Sequence, residues 1–249
     1  MIPKVIHFCW LSNEPYPELI TRCLASWKKH MPDYKIKKWE MSNFDINSVP
    51  FVKEACEKRK WAFAADYIRL YALYTEGGIY LDSDVFVRKS FDNFLNNSSF
   101  SSIEYNPFVH KEALKNMKVD ENGMLLSEDI KVGVQIQAAV IGAEKGNPFI
   151  KECLDWYVDK HFIQSDGTLY TSLILPDILA LCAKNRGFVY ANKLQEFPDL
   201  VLYKSEIFAP HPKLITKQSY AVHCCAGSWR DENIFQRFMR ALRAKIYLR

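Results

Sequence analysis

A helix followed at once by a strand, in the middle of the chain, constrains the fold more than any other sequence feature. Apolar residues predict a long helix over Trp61 to Glu76, and Gly77 and Gly78 are residues that end helices. Ile79 to Leu81 is predicted as a buried strand, and Asp82-Ser83-Asp84 comes where that strand should end. The polar residues are therefore expected at one edge of a sheet.

The N-terminal segment predicts a βαβ unit. Val5 to Trp10 is rich in β-forming residues, a helix is expected to begin at Pro17 and to end before Pro32, and Tyr34 to Trp39 alternates like a second strand. Such a unit begins a mostly parallel sheet, so we predict an α/β fold.

The remaining elements are predicted less sharply. Residues 88–130 show no clear period and are left unassigned. The other expected elements are a strand over Ile136 to Ile141, a helix capped by Asn147 with Pro148 in its first turn, a helix over Leu169 to Lys184 broken near Pro176, and short strands between residues 187 and 222.

Composition is typical of a soluble globular protein. The chain has 249 residues, of which 49% are hydrophobic and 25% charged, and its net charge of +4 is too small to indicate nucleic-acid binding. Seven cysteines without a CxxC pair predict reduced thiols and a cytoplasmic location. The apolar runs are too short for a secretory signal or a membrane span.

Asp82 and Asp84 are the first candidates for chemistry. Two aspartates two residues apart on an extended segment point to the same side, where their oxygens can bind a divalent cation together with substrate phosphates. A solvated turn is the alternative, since Asp and Ser favour turns.

Asp66 and Arg69 are the second candidates. They lie three residues apart on a helix whose other residues are largely Ala, Ile, Leu and Tyr. Either they form an intrahelical ion pair or they face a site at the end of the following strand.

Together, the pattern A-x-D-x-x-R…GG-I-Y-L-D-x-D-V resembles the DxD-containing region of glycosyltransferase family 32. That family includes yeast-type α-mannosyltransferases and bacterial capsular-polysaccharide transferases, and the large clostridial glucosylating toxins carry a similar motif. The opening IPKVIHFCW, the segment Pro32 to Trp39 and the late AVHCCAGSW are also similar to family segments. About two-thirds of the chain is covered.

The resemblance implies a role for each matching residue. Trp10 would stack on the nucleotide base, Asp66 would bind donor-sugar hydroxyls, and Arg69 would lie near the diphosphate or the sugar. The alternative for Trp10 is a core position. The remaining matches are Asp82 near the ribose, sugar and metal, Asp84 as a direct metal ligand, His223 as a further metal ligand or a structural histidine, Ser228 and Trp229 on a loop closing over the phosphates, and Gln137 on the acceptor side of the catalytic centre.

The same resemblance implies a fold and an activity. The fold would be of GT-A type, a single domain with a Rossmann-like, mostly parallel mixed sheet flanked by helices. The enzyme would use Mn²⁺ or Mg²⁺ and a nucleotide sugar, a UDP-sugar ahead of GDP-mannose. It would transfer the sugar with retention to a glycan acceptor, expected to be lipid-linked, in bacterial surface polysaccharide synthesis.

Two other functions fit parts of the pattern. A phosphohydrolase of the haloacid-dehalogenase type also ends a strand in DxD, but on its first strand, whereas Asp82 falls some 80 residues into this chain. A non-catalytic sugar- or nucleotide-binding protein would keep the fold but lose metal ligands, and both aspartates are present.

The C-terminal residues form a separate feature. We expect residues 1–229 to form the glycosyltransferase domain and residues 230–249 a basic amphipathic helix. That helix either packs on the domain or lies on an anionic membrane surface, which would place the enzyme peripherally on the inner face of the cell membrane.

Overall fold

The computed structural model describes residues 1–12 and 14–225. Strands and helices alternate through most of this region. The strands are β1 Val5–Cys9, β2 Lys35–Trp39, β3 Gly78–Leu81, β4 Val85–Val87, β5 Ser99–Tyr105, β6 Val134–Ile136, β7 Val140–Ala143, β8 Gln195–Phe197, β9 Leu200–Tyr203, β10 Phe208–Ala209 and β11 Ala221–His223. The helices are α1 Glu18–His30, α2 Pro50–Glu57, α3 Trp61–Glu76, α4 Pro107–Lys115, α5 Pro148–Asp155 and α6 Leu175–Lys184.

Eight of these strands form one mixed sheet. Its order is β2-β1-β3-β7-β5-β9-β8, with β6 paired to β5. β2, β1, β3, β5 and β9 run in one direction, while β7, β8 and β6 run in the other. The predicted α/β class with a mostly parallel mixed sheet is therefore confirmed, as is the βαβ unit of β1, α1 and β2.

Apolar residues cover both faces of the sheet. On one face, side chains of α2, α3, α5 and α6, such as Ile68 and Leu179, form the larger core cluster. On the other face, Trp27 of α1 and Met31, which directly follows α1, pack with Ile6 of β1 in a second cluster. Strands β1 and β3 are apolar at nearly every position because they are buried from both sides.

A second, three-stranded sheet lies beside the second cluster. Its order is β10-β11-β4, and three residues separate the end of β3 from the start of β4. The indole Nε1 of Trp27 donates to the carbonyl of Val85 at 2.7 Å, which ties α1 to β4. The short connection between β3 and β4 therefore has both of its ends fixed.

A buried histidine fixes the turn between α3 and β3. Nδ1 of His7 accepts from Nε1 of Trp39 at 3.1 Å, so its other nitrogen, Nε2, carries the proton and donates to the carbonyl of Gly77 at 2.8 Å. Burial lowers the pKa of His7, which keeps the ring neutral. Strands β1 and β2 thus hold the point at which the chain enters β3.

Three sequence-based expectations differ from the structure. The strand expected over Ile136 to Ile141 is two strands, β6 and β7, separated by residues 137–139. The helix expected from Leu169 begins only at Leu175, because Pro176 can occupy a first turn but not a helix interior. The unassigned stretch 88–130 contains β5 and α4.

The predicted amphipathic helix, residues 230–249, lies outside the described residues. Among the residues that are described, no helix is long and apolar enough to cross a membrane. All seven cysteines are free thiols.

The turn that enters β3 gives a testable prediction. Gly78 has φ +117°, and a Cβ there would lie 2.6 Å from the carbonyl oxygen of Val5, whereas Gly187 has φ +89° with nothing within 4 Å. Gly187→Ala should cost about 1–2 kcal/mol of unfolding free energy from backbone strain alone. Gly78→Ala should cost about 1–3 kcal/mol more from the overlap, measured by urea denaturation. Equal losses in the two variants would contradict the packing described for this turn.

Candidate active site

The ends of three strands bring two aspartates and a histidine together. Asp82 directly follows β3, Asp84 directly precedes β4, and His223 is the last residue of β11. Because β11 pairs antiparallel with β4, His223 lies opposite Val85, and Cys224 N–H donates to the carbonyl of Asp84 at 3.0 Å. The fold thus places the histidine beside the aspartates, although they are some 140 residues apart in sequence.

The three side chains can share one cation. One ligand atom from each of Asp82, Asp84 and His223 lies within 4.8 Å of the others. Nε2 of His223 is 3.3 Å from Oδ1 of Asp84 and 3.9 Å from Oδ2 of Asp82. Two carboxylate oxygens and one imidazole nitrogen suit a divalent cation, and three protein ligands leave positions free for substrate oxygens.

The charges in this cluster also suit a cation. Burial by itself would lower the pKa of His223, but the carboxylate of Asp84 raises it well above its ordinary value. A carboxylate that strengthens the proton on a neighbouring imidazole would equally stabilise a metal ion bound in its place. The cluster therefore favours positive charge where the three side chains meet.

Arg69 is buried beneath the aspartates and joins three parts of the chain. Its Nη2 donates to Oδ1 of Asp66 at 2.8 Å, and its Nη1 donates to the carbonyl of Ala138 at 2.7 Å and lies 3.2 Å from Oδ1 of Asp82. The guanidinium also stacks 4.6 Å from the ring centre of Tyr80. Burial opposes its charge, but Asp82, Tyr80 and Asp66 hold the pKa of Arg69 above its ordinary value.

This geometry resolves the two interpretations of Asp66 and Arg69. They form the intrahelical ion pair and they also reach the end of β3, since the same guanidinium contacts Asp82. Burial raises the pKa of Asp66 to about 7, with Arg69 lowering it and Asp82 raising it. With its guanidinium occupied by these partners, Arg69 is suited to hold the two carboxylates in place.

Trp10 lies at the same sheet edge as Asp82, because β1 and β3 are parallel neighbours. Its ring is half-buried and contacts Tyr16 edge-on, with centroids 4.9 Å apart, and its Nε1 donates to the carbonyl of Glu14 at 2.9 Å. The indole is therefore held at the edge of the core and is not enclosed by it. Base stacking by Trp10 stays a prediction.

Gln137 is buried in the break between β6 and β7. Its Oε1 accepts from the hydroxyl of Ser102 at 3.2 Å, and its Nε2 has no hydrogen-bond partner among the described residues. Ser228 and Trp229, the predicted closing loop, lie outside the described residues.

One acidic residue near the cluster was missed by the sequence analysis. The charges of His223 and Asp82 both act on the carboxylate of Glu104, which lies on β5. The segment Ser99–Tyr105 contains three serines, which resemble turn formers, so no strand was predicted there. A usable signal was Glu104 itself, a charge between the apolar Ile103 and Tyr105, shortly before the turn residues Asn106 and Pro107.

The burial of Arg69 gives a prediction for stability. Arg69→Met leaves Asp66 and Asp82 without their partner in a buried site, so it should lower the free energy of unfolding by about 3–5 kcal/mol. Lys151→Met removes an exposed ion pair with Asp155 and should cost no more than about 0.5 kcal/mol. Urea denaturation measures both, and similar small losses would mean that the Arg69 network does not hold this region together.

The region that contains Asp66, Arg69 and the two aspartates matches a known protein family. Residues 17–101 match the family model described as "Glycosyltransferase sugar-binding region containing DXD motif". Two curated relatives match over a similar length. Inositol phosphoceramide mannosyltransferase 3 of Schizosaccharomyces pombe (strain 972 / ATCC 24843) is 34% identical over 98 residues, which are 38% of this chain and 27% of the relative. The uncharacterized glycosyltransferase L373 of Acanthamoeba polyphaga mimivirus is 34% identical over 101 residues, which are 38% of this chain and 40% of the relative.

Similar solved structures include two glycosyltransferases. One, involved in glycosylation of the major capsid of PBCV-1, is 12% identical with a TM-score of 0.48 over 98% of each chain. The other is galactosyltransferase LgtC in complex with donor and acceptor sugar analogs, 14% identical with a TM-score of 0.43 over 97% of this chain and 95% of that chain. The sequence matches to the family model and to the two relatives confirm the predicted resemblance to glycosyltransferases of the family-32 type over residues 17–101, the region that contains Asp82-Ser83-Asp84.

Proposed function

We propose that this chain is a metal-dependent glycosyltransferase of GT-A type that uses a nucleotide sugar. The observation that carries the proposal is the convergence of Asp82, Asp84 and His223 beside the buried Arg69–Asp66 pair. A divalent cation held there would stabilise the charge that grows on the nucleoside diphosphate as it leaves the sugar.

The chain's own residues would bind and orient the donor. We propose that Asp66 accepts hydrogen bonds from donor-sugar hydroxyls, while Arg69 fixes the positions of Asp66 and Asp82. Trp10, half-buried at the end of β1, would stack on the base. Ser228 and Trp229 would close over the phosphates, and Gln137 would face the acceptor.

For the donor and the acceptor we propose classes of molecule and no single compound. A UDP-sugar ranks ahead of GDP-mannose, but one relative is named a mannosyltransferase, so both donors belong in a test. The proposed reaction retains anomeric configuration, and the proposed acceptor is a lipid-linked glycan of a bacterial surface polysaccharide such as a capsule. We propose that residues 1–229 form the catalytic domain, in the cytoplasm, and that residues 230–249 contact the inner face of the cell membrane.

The activity is tested by donor hydrolysis. UDP-glucose, UDP-galactose, UDP-N-acetylglucosamine and GDP-mannose are each incubated with the full chain and with Mn²⁺ or Mg²⁺. We expect one donor to be hydrolysed, EDTA to stop the reaction, and added metal to restore it. Asp84→Asn should lower the rate about 100-fold or more, since a metal ligand supports several kcal/mol of charge stabilisation.

A matched variant controls for general effects of the same substitution. Asp155→Asn changes an exposed aspartate, the last residue of α5, which pairs with Lys151 on the surface, and should leave hydrolysis unchanged. Full activity in EDTA would contradict the metal-dependent mechanism. Nucleotide-sugar binding without turnover of any donor would favour a non-catalytic binding protein, and release of phosphate from simple phosphomonoesters would favour a phosphohydrolase.

A further inference from the structure

The ribbon formed by β5 and β6 has one apolar and one polar face. Glu104 of β5 lies directly opposite Gln135 of β6, and cross-strand partners in an antiparallel pair project to the same side. Residues two positions away share that side, which adds Ser102 and Gln137. The other side carries Ile103, Val134 and Ile136, each fully buried in the core.

One half of the polar face is withdrawn from solvent. Ser102 and Gln137 are 0% and 1% exposed, and Glu104 and Gln135 are only half-buried. We name this row of four side chains the polar strip. Polar groups buried in this way are normally hydrogen-bonded, so those that lack a protein partner indicate a ligand or water.

Two groups of the polar strip are left without such a partner. Nε2 of Gln137 is buried and unpaired among the described residues, because the serine hydroxyl of Ser102 engages only its Oε1. The carboxylate of Glu104 likewise makes no hydrogen bond to the part of the chain that the structure describes. An amide N–H that can donate and a carboxylate that can accept are the pair of groups needed to bind neighbouring hydroxyls.

The polar strip lies between the cluster of Asp82, Asp84 and His223 and a groove. Burial raises the pKa of Glu104, and the charges of His223, Asp177 and Asp82 all act on its carboxylate. Asp177, buried in the first turn of α6, accepts a hydrogen bond from Gln135. A groove of about 260 Å³ begins there, and its polar lining consists of Asn106, Lys131, Gln135, Thr171, Ser172 and Asp177.

The sheet order places this strip on the side away from the expected nucleotide. In the order β2-β1-β3-β7-β5, Trp10 at the end of β1 lies on one side of β3, and the β5–β6 ribbon lies on the other. If the diphosphate binds at Asp82 after β3 and the base stacks on Trp10, the nucleotide part of the donor lies on the side of β3 away from the ribbon. The ribbon side is then the one from which the second substrate approaches.

We propose that the polar strip and its groove form the acceptor subsite, which binds a neutral sugar. Glu104 accepts a hydrogen bond from a hydroxyl of the acceptor, Nε2 of Gln137 donates to a hydroxyl oxygen, and the groove holds the next part of the glycan. Two carboxylates, Glu104 and Asp177, face this subsite against one cation, Lys131, and the excess of negative charge disfavours a phosphorylated or sulfated sugar. The inference rests on the proposed glycosyltransferase function and deepens it by assigning residues to the acceptor.

The test measures sugar binding separately from nucleotide binding. The probes are methyl α- and β-glycosides of glucose, galactose, mannose and N-acetylglucosamine, titrated into the full chain with Mn²⁺ and UDP and followed by saturation-transfer NMR. Glu104→Gln should weaken binding of the preferred glycoside about 10- to 100-fold, the effect of losing a hydrogen bond to a charged group. Its UDP affinity, measured by calorimetry, should change by less than about twofold, which also shows that the variant is folded.

Two further sets of variants test whether the loss of glycoside binding is specific to the proposed subsite. Glu112→Gln makes the same substitution on the exposed surface of α4 and should bind the glycoside like the unaltered chain. If Glu104→Gln does not fold, Thr171→Ala and Ser172→Ala on the groove wall replace it and should each weaken glycoside binding.

Three outcomes would overturn the acceptor subsite. They are an equal loss of UDP affinity in Glu104→Gln, a preference for sugar phosphates over neutral glycosides, and binding of no glycoside by the unaltered chain. The proposed function fails separately, when the unaltered chain hydrolyses no nucleotide sugar. A chain that hydrolyses a donor but binds no glycoside refutes the acceptor subsite alone.

Discussion

The candidate site depends on the ion pairs and hydrogen bonds of Arg69, whose guanidinium is buried below the sheet edge. One guanidinium contacts Asp66 on α3, Asp82 at the end of β3, and the carbonyl of Ala138 in the break between β6 and β7. A buried charge is tolerated only when it is paired and hydrogen-bonded, so these three segments must keep their relative positions while Arg69 stays buried. The ion pair therefore aligns the helix, the strand and the β6–β7 break in the fold.

The rest of the site follows from strand ends. Asp82 directly follows β3, and Asp84 lies in the short connection to β4. The pairing of β11 with β4 places His223 beside them. The carboxylates of Asp82 and Asp84 favour positive charge there, and a divalent cation would take the place of the proton that Asp84 stabilises on His223. Trp10 lies to one side of this point in the sheet, and the polar strip lies to the other. A donor and an acceptor can thus approach the same place from opposite sides.

The sequence predicted correctly those elements whose bounds are set by neighbouring residues in the chain. The helix over Trp61 to Glu76 was predicted with the observed bounds because apolar periodicity and two glycines agree. The β6–β7 break was not predicted, since the tertiary contacts of Gln137 and Ala138 cause it and the apolar run itself continues. β5 was missed because its buried serines satisfy their hydroxyls on distant carbonyls. The meeting of His223 with the aspartates came from family resemblance and not from spacing, because pairing between distant strands leaves no local pattern.

Direct measurement of metal binding tests whether Asp82, Asp84 and His223 together bind a divalent cation. Mn²⁺ is titrated into the full chain in the presence of UDP or GDP, with free Mn²⁺ followed by electron paramagnetic resonance. We expect one Mn²⁺ to bind per chain, with affinity at least about tenfold lower in both Asp84→Asn and His223→Ala, since each removes a ligand. Equal Mn²⁺ affinity in the unaltered chain and both variants would contradict this expectation.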